Sequence, residues 1–202
     1  MGPEPGILLS AEWPRTLPGR DDRLDHVEPD LSEHFPELRP ADERAALVQR
    51  LDYQRVAVIH HLGSIGDADA SRRVLEATQL TMGGIVKHLA WAEDHWFQAR
   101  LRGVDLPEPW ASAPLASDRE WPFHSAHRDS VESLIDLYSA SCERSRAAAD
   151  SFESLDAVAA LPSFGKGPVN LRWIVGHVID ETACHTGHLD LLHDAIALRH
   201  LR

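Results

Sequence analysis

The 202-residue chain is long enough for one ordinary domain with a buried core and at most a short additional arm. Its 43% hydrophobic and 26% charged residues are typical of globular proteins, which excludes a collagen-like or wholly disordered chain. The net charge of -12 at pH 7 would repel a phosphate backbone, so we expect no nucleic-acid partner. No apolar run reaches the length of a membrane span, and the N-terminal residues lack a signal-peptide pattern, so we expect a cytoplasmic protein without a membrane partner.

The first 40 residues are rich in proline and show no sustained helical or strand periodicity. They predict an extended N-terminal arm over residues 1–40, partly ordered by contacts of Trp13, Leu31 and Phe35. The two cysteines, Cys142 and Cys184, are too few for a disulfide framework.

Residues 41–202 have the pattern of a helical domain. Helical periodicity is found in four long segments, over residues 41–65, 81–103, about 127–150 and about 170–198. Thr81 is a suitable N-cap for the second segment, and Gly103 is a suitable C-terminal stop. Residues 67–79 are predicted as a connector with one short helical turn, and residues 104–125 as a long loop. The pattern predicts an all-α protein, a four-helix bundle with long connections.

The fourth helix carries an unusual set of polar side chains. At about 100° per residue, one narrow stripe of this helix contains His177, Glu181, His185 and His188. Ile174 and Leu192 lie within the same stripe, so we expect it to face the bundle interior. Burying a carboxylate and three imidazoles is costly unless each is paired or bound to a metal. The stripe therefore predicts a polar or metal-binding centre inside the bundle.

The second helix offers a third ligand, His88, on its predicted inward face. The small residues Gly84 and Ala92 beside His88 are expected to leave room for a pocket. His88 with Glu181 and His185 would provide two imidazoles and one carboxylate, which suits Zn²⁺ or a related ion such as Ni²⁺. Three protein ligands leave coordination positions open for water or substrate, as in catalytic metal sites.

Three further histidines are the candidate catalytic residues. His177 and His188 are expected to support the ligands or line the pocket, and either could accept a proton during a reaction. His95 fits equally well as part of the pocket wall or as a residue packed in the core.

The sequence also predicts how several other residues pack and whether the chain forms an oligomer. Glu93 and Asp94 are predicted to lie on a solvated face, and the tryptophans are predicted to be core residues: Trp91, Trp96 and Trp173. Some apolar residues fall outside the predicted bundle stripe: Phe97, Leu101, Val175 and Ile179. A monomer would leave them partly exposed, which predicts a homodimer.

Three stretches of the chain resemble the DinB/YfiT-like superfamily of metalloenzymes, in its DUF664 branch. They are LDYQR (51–55), TMGGIVKHLAWAEDHWF (81–97) and LRWIVGHVIDETACHTGHLDLLHDAI (171–196). The resemblance covers about residues 41–197 and implies a bundle around a divalent metal. The superfamily has one histidine on the second helix and His/Glu-x-x-x-His on the last, which implies His88, Glu181 and His185 as ligands.

The glutamate version of this ligand set is similar to that of mycothiol-dependent maleylpyruvate isomerase. Members of the superfamily include transferases and isomerases that use bacillithiol or mycothiol. The resemblance therefore implies a metal-dependent enzyme that acts on a small molecule with a low-molecular-weight thiol such as mycothiol. Two other functions remain open: a non-catalytic metal-binding or stress protein, and a metal-dependent hydrolase.

Overall fold

The computed structural model of the chain describes residues 39–163 and 167–200. The predicted arm over residues 1–40, with its Trp13, Leu31 and Phe35, lies outside these residues except at its last two positions. The boundary between arm and bundle therefore stays a prediction.

Four long helices form the architecture: α1 (Glu43–Gly63), α3 (Met82–Asp94) with its continuation (His95–Arg102), α5 (Val131–Asp150) and α6 (Leu171–His200). Two shorter helices lie in the connections: α2 (Asp67–Ala70) and α4 (Trp121–Ser125). Helix α3 packs against α5 and α6, and α1 packs against α6 and α5. The predicted all-α four-helix bundle is confirmed. In the part of the chain that the structure describes, each helix is either too short or too polar to span a lipid bilayer.

The helix starts follow local signals in the sequence. The Thr81 hydroxyl accepts a hydrogen bond of 3.1 Å from the Gly84 backbone N–H, as expected of an N-cap. Ser130 caps α5 in the same way by accepting a bond of 3.2 Å from the Ser133 N–H. These short-range bonds fix where α3 and α5 begin, which is why the Thr81 boundary was predictable.

Gly103 ends the α3 continuation in a left-handed conformation, with φ of 68°. A Cβ atom at this position would also lie 2.9 Å from the Cβ of Ala160. Both the backbone angle and the close approach favour glycine, so the predicted stop at Gly103 has a conformational and a packing cause.

We expect Gly103→Ala to lower the free energy of unfolding by about 1–2 kcal/mol, because an L-residue is strained in the left-handed region. Urea denaturation would measure the change. Gly176→Ala is the matched control, since nothing lies within 4 Å of the Cβ added there, in the interior of α6. This control should raise stability by roughly 0.5–1 kcal/mol. A Gly103→Ala protein as stable as the unmodified chain would contradict the explanation.

The structure differs from the predicted helices in three places. The segment His95–Arg102 continues α3 as a π-helix, whereas the sequence predicted a single α-helix over this range. Helix α4 lies within residues 104–125, which were predicted as a loop, and Pro122 occupies its first turn, where the missing N–H costs nothing. Helix α5 begins at Val131, after a short 3₁₀ turn over Ala126–Arg128.

The four apolar residues that predicted a homodimer are all buried within the chain. They belong to a core cluster between α1, the π-helical segment, α5 and the first half of α6: Phe97, Leu101, Val175 and Ile179. The widened π-helical turn and the neighbouring helices cover them. They supply no exposed apolar surface, so the observation on which the homodimer prediction rested was wrong.

Glu93 is buried rather than solvated, with 1% of its surface exposed. Its two carboxylate oxygens accept hydrogen bonds of 2.8 and 2.7 Å from Nε and Nη2 of Arg55 on α1. Arg55 also donates a bond of 3.0 Å to Asp52. The prediction of a solvated face was wrong because the partner, Arg55, comes from another helix.

Asp94 is buried as well, with no exposed surface. Its carboxylate accepts hydrogen bonds from Arg144 and Ser141 on α5, at 2.8 Å each, and from the Trp110 indole at 2.9 Å. This carboxylate ties α3 to α5 and to the loop before α4. The acidic pair thus stabilises the bundle and lies away from the site described next.

The two cysteines are unpaired, as expected. Cys142 is buried in the core and Cys184 is exposed on α6. No disulfide contributes to the fold.

Candidate metal centre

The three predicted ligand residues lie together between α3 and α6. Nε2 of His88 is 2.8 Å from Oε1 of Glu181, and Nε2 of His185 is 3.4 Å from the same oxygen. One ligand atom from each residue lies within 4.8 Å of the others. These residues are called the ligand cluster below. Their atoms converge as donors to a single ion would.

The local fold explains this convergence. Glu181 and His185 are one turn apart on α6, so their heads share one side of the helix. Helix α3 runs antiparallel to α6, because His88 lies beside His185 while Trp96, further along α3, lies beside His177. His88 therefore meets the middle of α6 from the opposite helix.

The ligand cluster lies at the flank of the bundle rather than in its interior. Ile174 and Leu192, which share the same stripe of α6, are fully buried, whereas the Glu181 side chain is 31% exposed. The site is less deeply buried than expected at Glu181, while the His88 and His185 side chains are only 15% and 13% exposed, since helical spacing gives the direction of a side chain but not how far the neighbouring helix covers it. Solvent can thus reach the Glu181 side of the ligand cluster.

The electrostatics favour a cation at this position. The imidazoles of His185 and His88 hold the pKa of the Glu181 carboxyl well below its usual range, although partial burial acts in the opposite direction. The carboxylate is therefore ionised at neutral pH. One carboxylate and two imidazole nitrogens form a donor set that fits a divalent first-row ion such as Zn²⁺ or Ni²⁺.

His188 lies directly behind one of the ligand residues. Its Nδ1 is 3.4 Å from Nδ1 of His185, whose other nitrogen faces Glu181. An ion bound at Nε2 of His185 would leave the proton on Nδ1, which can donate to His188. His188 is therefore placed to orient His185, as partners behind metal-binding histidines commonly do.

Phe123 on α4 packs against the His88 ring, with centroids 4.4 Å apart and planes 19° apart. Gly84 permits this approach, because a Cβ there would lie 3.3 Å from the Phe123 carbonyl oxygen. The space expected beside Gly84 is thus filled by α4 and is not a pocket. The sequence did not predict Phe123 as part of the site, because residues 104–125, which include Pro122, are predicted as a loop.

Aromatic rings in successive contact extend from His88 along α3 and across to α6. Neighbouring centroids are 4.6 to 5.7 Å apart in this aromatic row, which consists of Trp91, His95, Trp96, His177 and Trp173. His95 and His177 therefore lie outside the ligand cluster, beyond Trp91. Trp96 is buried as predicted, but Trp173 is 44% exposed, so its assignment to the core was wrong.

His95 is an uncharged member of the aromatic row at neutral pH. Burial, together with the nearby Arg100 guanidinium, lowers the pKa of His95 to about 4. Arg100 Nε donates a hydrogen bond of 3.2 Å to Nε2 of His95, so the imidazole proton lies on Nδ1. His95 therefore contributes a neutral polar ring.

Comparison with known proteins agrees with this architecture. A family model described as mycothiol-S-transferase matches residues 46–197, which include all three residues of the ligand cluster. The matched range agrees with the 41–197 range of the resemblance described above. No curated protein matches the chain. Because the match spans more than half of the sequence, the chain belongs to the mycothiol-S-transferase family, within the DinB-like superfamily.

Proposed function

We propose that this protein is a metal-dependent transferase that joins mycothiol to a small electrophilic molecule. The ion would be Zn²⁺, or Ni²⁺ as the second choice, held by His88, Glu181 and His185. The observation that carries the proposal is the convergence of these three ligand atoms within 4.8 Å in a member of this family. Such a convergence is expected of a site built for an ion.

The reaction requires a nucleophile from outside the protein. The thiol sulfur forms a bond to an electrophilic carbon of the substrate, the thiol proton leaves for solvent, and a leaving group departs with the electron pair of its bond. A bound divalent ion supplies Lewis acidity that lowers the pKa of a thiol in contact with it. The partly exposed Glu181 side chain leaves the approach open for both reactants.

The protein side chains act by binding and orientation. Glu181 supplies the one negative charge of the ligand cluster, so a divalent ion would keep about one positive charge for the incoming thiol. His188 orients His185, and the Phe123 ring orients His88.

The thiol proton is assigned to neither His188 nor His177. If Nδ1 of His188 accepts the proton of His185, its Nε2 carries a proton, and no lone pair is left for the thiol proton. His177 packs against Trp96 and Trp173 at the other end of the aromatic row. We therefore propose that His188 is a positioning residue, and that the thiol proton leaves through water rather than through either histidine.

Titration of the Co²⁺-loaded protein with mycothiol would test the thiol mechanism. We expect a thiolate-to-cobalt absorption band in the near ultraviolet that saturates with increasing mycothiol. S-methylated mycothiol should give no such band, because its sulfur cannot form a thiolate. His193→Ala, on the same helix but outside the ligand cluster, should give the same band as the unmodified protein.

A Co²⁺-loaded protein that shows no band at any mycothiol concentration would contradict the thiol mechanism. Hydrolysis of a small ester or amide by that protein would then support the metal-dependent hydrolase. Tight metal binding without any turnover would support a metal-binding or stress protein.

A further inference from the structure

We propose that the aromatic row is the binding surface for the pseudo-disaccharide part of mycothiol, with Trp173 as its outermost contact. This inference rests on the proposed function, since it takes mycothiol as the thiol whose sulfur lies at the ligand cluster. It assigns a binding role to Trp173, His177 and His95, which the metal site leaves unused.

The length of the aromatic row is the first argument for this proposal. Trp173 and Glu181 are eight positions apart on α6, a distance of about 12 Å along a helix. A group that reacts at the ligand cluster therefore cannot contact Trp173 directly, but a remote part of the same molecule can. A cysteine joined to two six-membered rings has a comparable length, whereas a small electrophile is too short to span both ends.

The exposure of Trp173 is the second support. Its side chain is 44% exposed, although it lies beside a core that covers other aromatic residues fully. One face of its indole stacks on His177, with centroids 5.0 Å apart and planes 10° apart, and Trp96 lies 5.3 Å away. The ring is held in place before any ligand arrives, so binding to it would cost little side-chain entropy.

The chemistry of the row suits a neutral sugar. The C–H faces of sugar rings pack on flat aromatic rings, and sugar hydroxyls form hydrogen bonds with imidazole nitrogens. Trp91 and Trp173 supply the flat rings, and His177 with His95 supplies the imidazoles. The low pKa of His95, about 4, keeps that imidazole uncharged at neutral pH.

Binding of the pseudo-disaccharide without its cysteine would test the row separately from the metal chemistry. The full-length protein, both as isolated and metal-loaded, is titrated with N-acetylglucosaminyl-inositol, whose nitrogen is a neutral amide as it is in mycothiol, and intrinsic tryptophan fluorescence and calorimetry give the dissociation constant. We expect Trp173→Ala to raise this constant about tenfold, because one stacking surface is lost. Trp173→Phe keeps an aromatic face and should stay within about threefold of the unmodified protein.

Leu191→Ala is the matched control for these variants. Leu191 is also a large exposed side chain on α6, with 61% of its surface exposed, and it lies outside the row. Its replacement should leave the dissociation constant unchanged. Thermal unfolding of each variant checks that it folds. If Trp173→Ala does not fold, Trp173→Leu replaces it, because it keeps an apolar side chain but loses the flat ring, and it should also raise the dissociation constant about tenfold.

The outcomes separate this inference from the proposed function. If mycothiol gives the cobalt band but N-acetylglucosaminyl-inositol binds Trp173→Ala as well as it binds the unmodified protein, the aromatic row is not its site and the inference is overturned. The inference is also overturned if N-acetylglucosaminyl-inositol binds neither protein. If it binds in a Trp173-dependent way and no cobalt band forms, the row is supported while the thiol mechanism fails.

Discussion

The His88→Ala and His185→Ala proteins should bind Zn²⁺ at least about 100-fold more weakly than the unmodified protein. Loss of a partner behind a ligand already costs 10- to 100-fold, and loss of a ligand costs more. Each substitution leaves only two donor atoms of the ligand cluster. Elemental analysis after dialysis would measure metal content, and calorimetry would measure affinity.

Two further variants make this test specific. His193→Ala removes an imidazole from the same helix outside the ligand cluster, so it should keep full metal content. His188→Ala should weaken binding by about 10- to 100-fold, because it removes only the hydrogen-bond partner of His185. Full metal content in both His88→Ala and His185→Ala would show that the ligand assignment is wrong.

The Arg55→Ala protein should lose about 3–5 kcal/mol of unfolding free energy, because it leaves a buried carboxylate without its cation. Arg55 forms two hydrogen bonds with Glu93, and both side chains are almost fully buried. Proximity to Glu93 raises the pKa of Arg55 despite its burial, so the guanidinium stays charged. Guanidinium chloride denaturation, analysed for midpoint and slope, would measure the loss.

A double variant separates the pair from its lost partner. Replacing both residues, by Arg55→Met with Glu93→Leu, should recover most of the loss, since two apolar side chains leave no unpaired charge. Arg172→Ala is the control for ion pairs in general: Arg172 pairs with Glu43 and Asp156 at the surface, where solvent screens the charges, so its loss should cost much less stability than the loss of Arg55. An Arg55→Ala protein no less stable than Arg172→Ala would contradict the role assigned to the buried pair.

Metal binding and fold stability should therefore respond to different substitutions. The ligand cluster joins α3 to α6, whereas the Glu93 pair joins α3 to α1. His88 and Glu93 are only five positions apart on α3, yet they lie on different sides of that helix. We expect the His88→Ala protein to lose less unfolding free energy than the Arg55→Ala protein, since its bond to Glu181 is only partly buried and its loss leaves no fully buried unpaired charge.

The features that can be predicted from the amino-acid sequence depend on short-range spacing. The hydroxyl of Thr81 lies three residues from the N–H that it caps, and Gly103 adopts a backbone angle that other residues avoid. Glu181 and His185 share a side of α6 because four residues make about one helical turn. The starts and ends of the long helices and the pairing of Glu181 with His185 were predictable for this reason.

Which residues lie opposite each helix face depends on how distant segments of the chain pack together. Arg55, 38 positions from Glu93 in sequence, makes that carboxylate a buried residue instead of a solvated one. The approach of α4 to Gly84 places Phe123 against His88 and fills the expected pocket. Helical spacing gives the direction of a side chain, but its depth depends on which distant segment packs against it. The same reason leaves Glu181 open to solvent and Trp173 exposed at the end of the aromatic row.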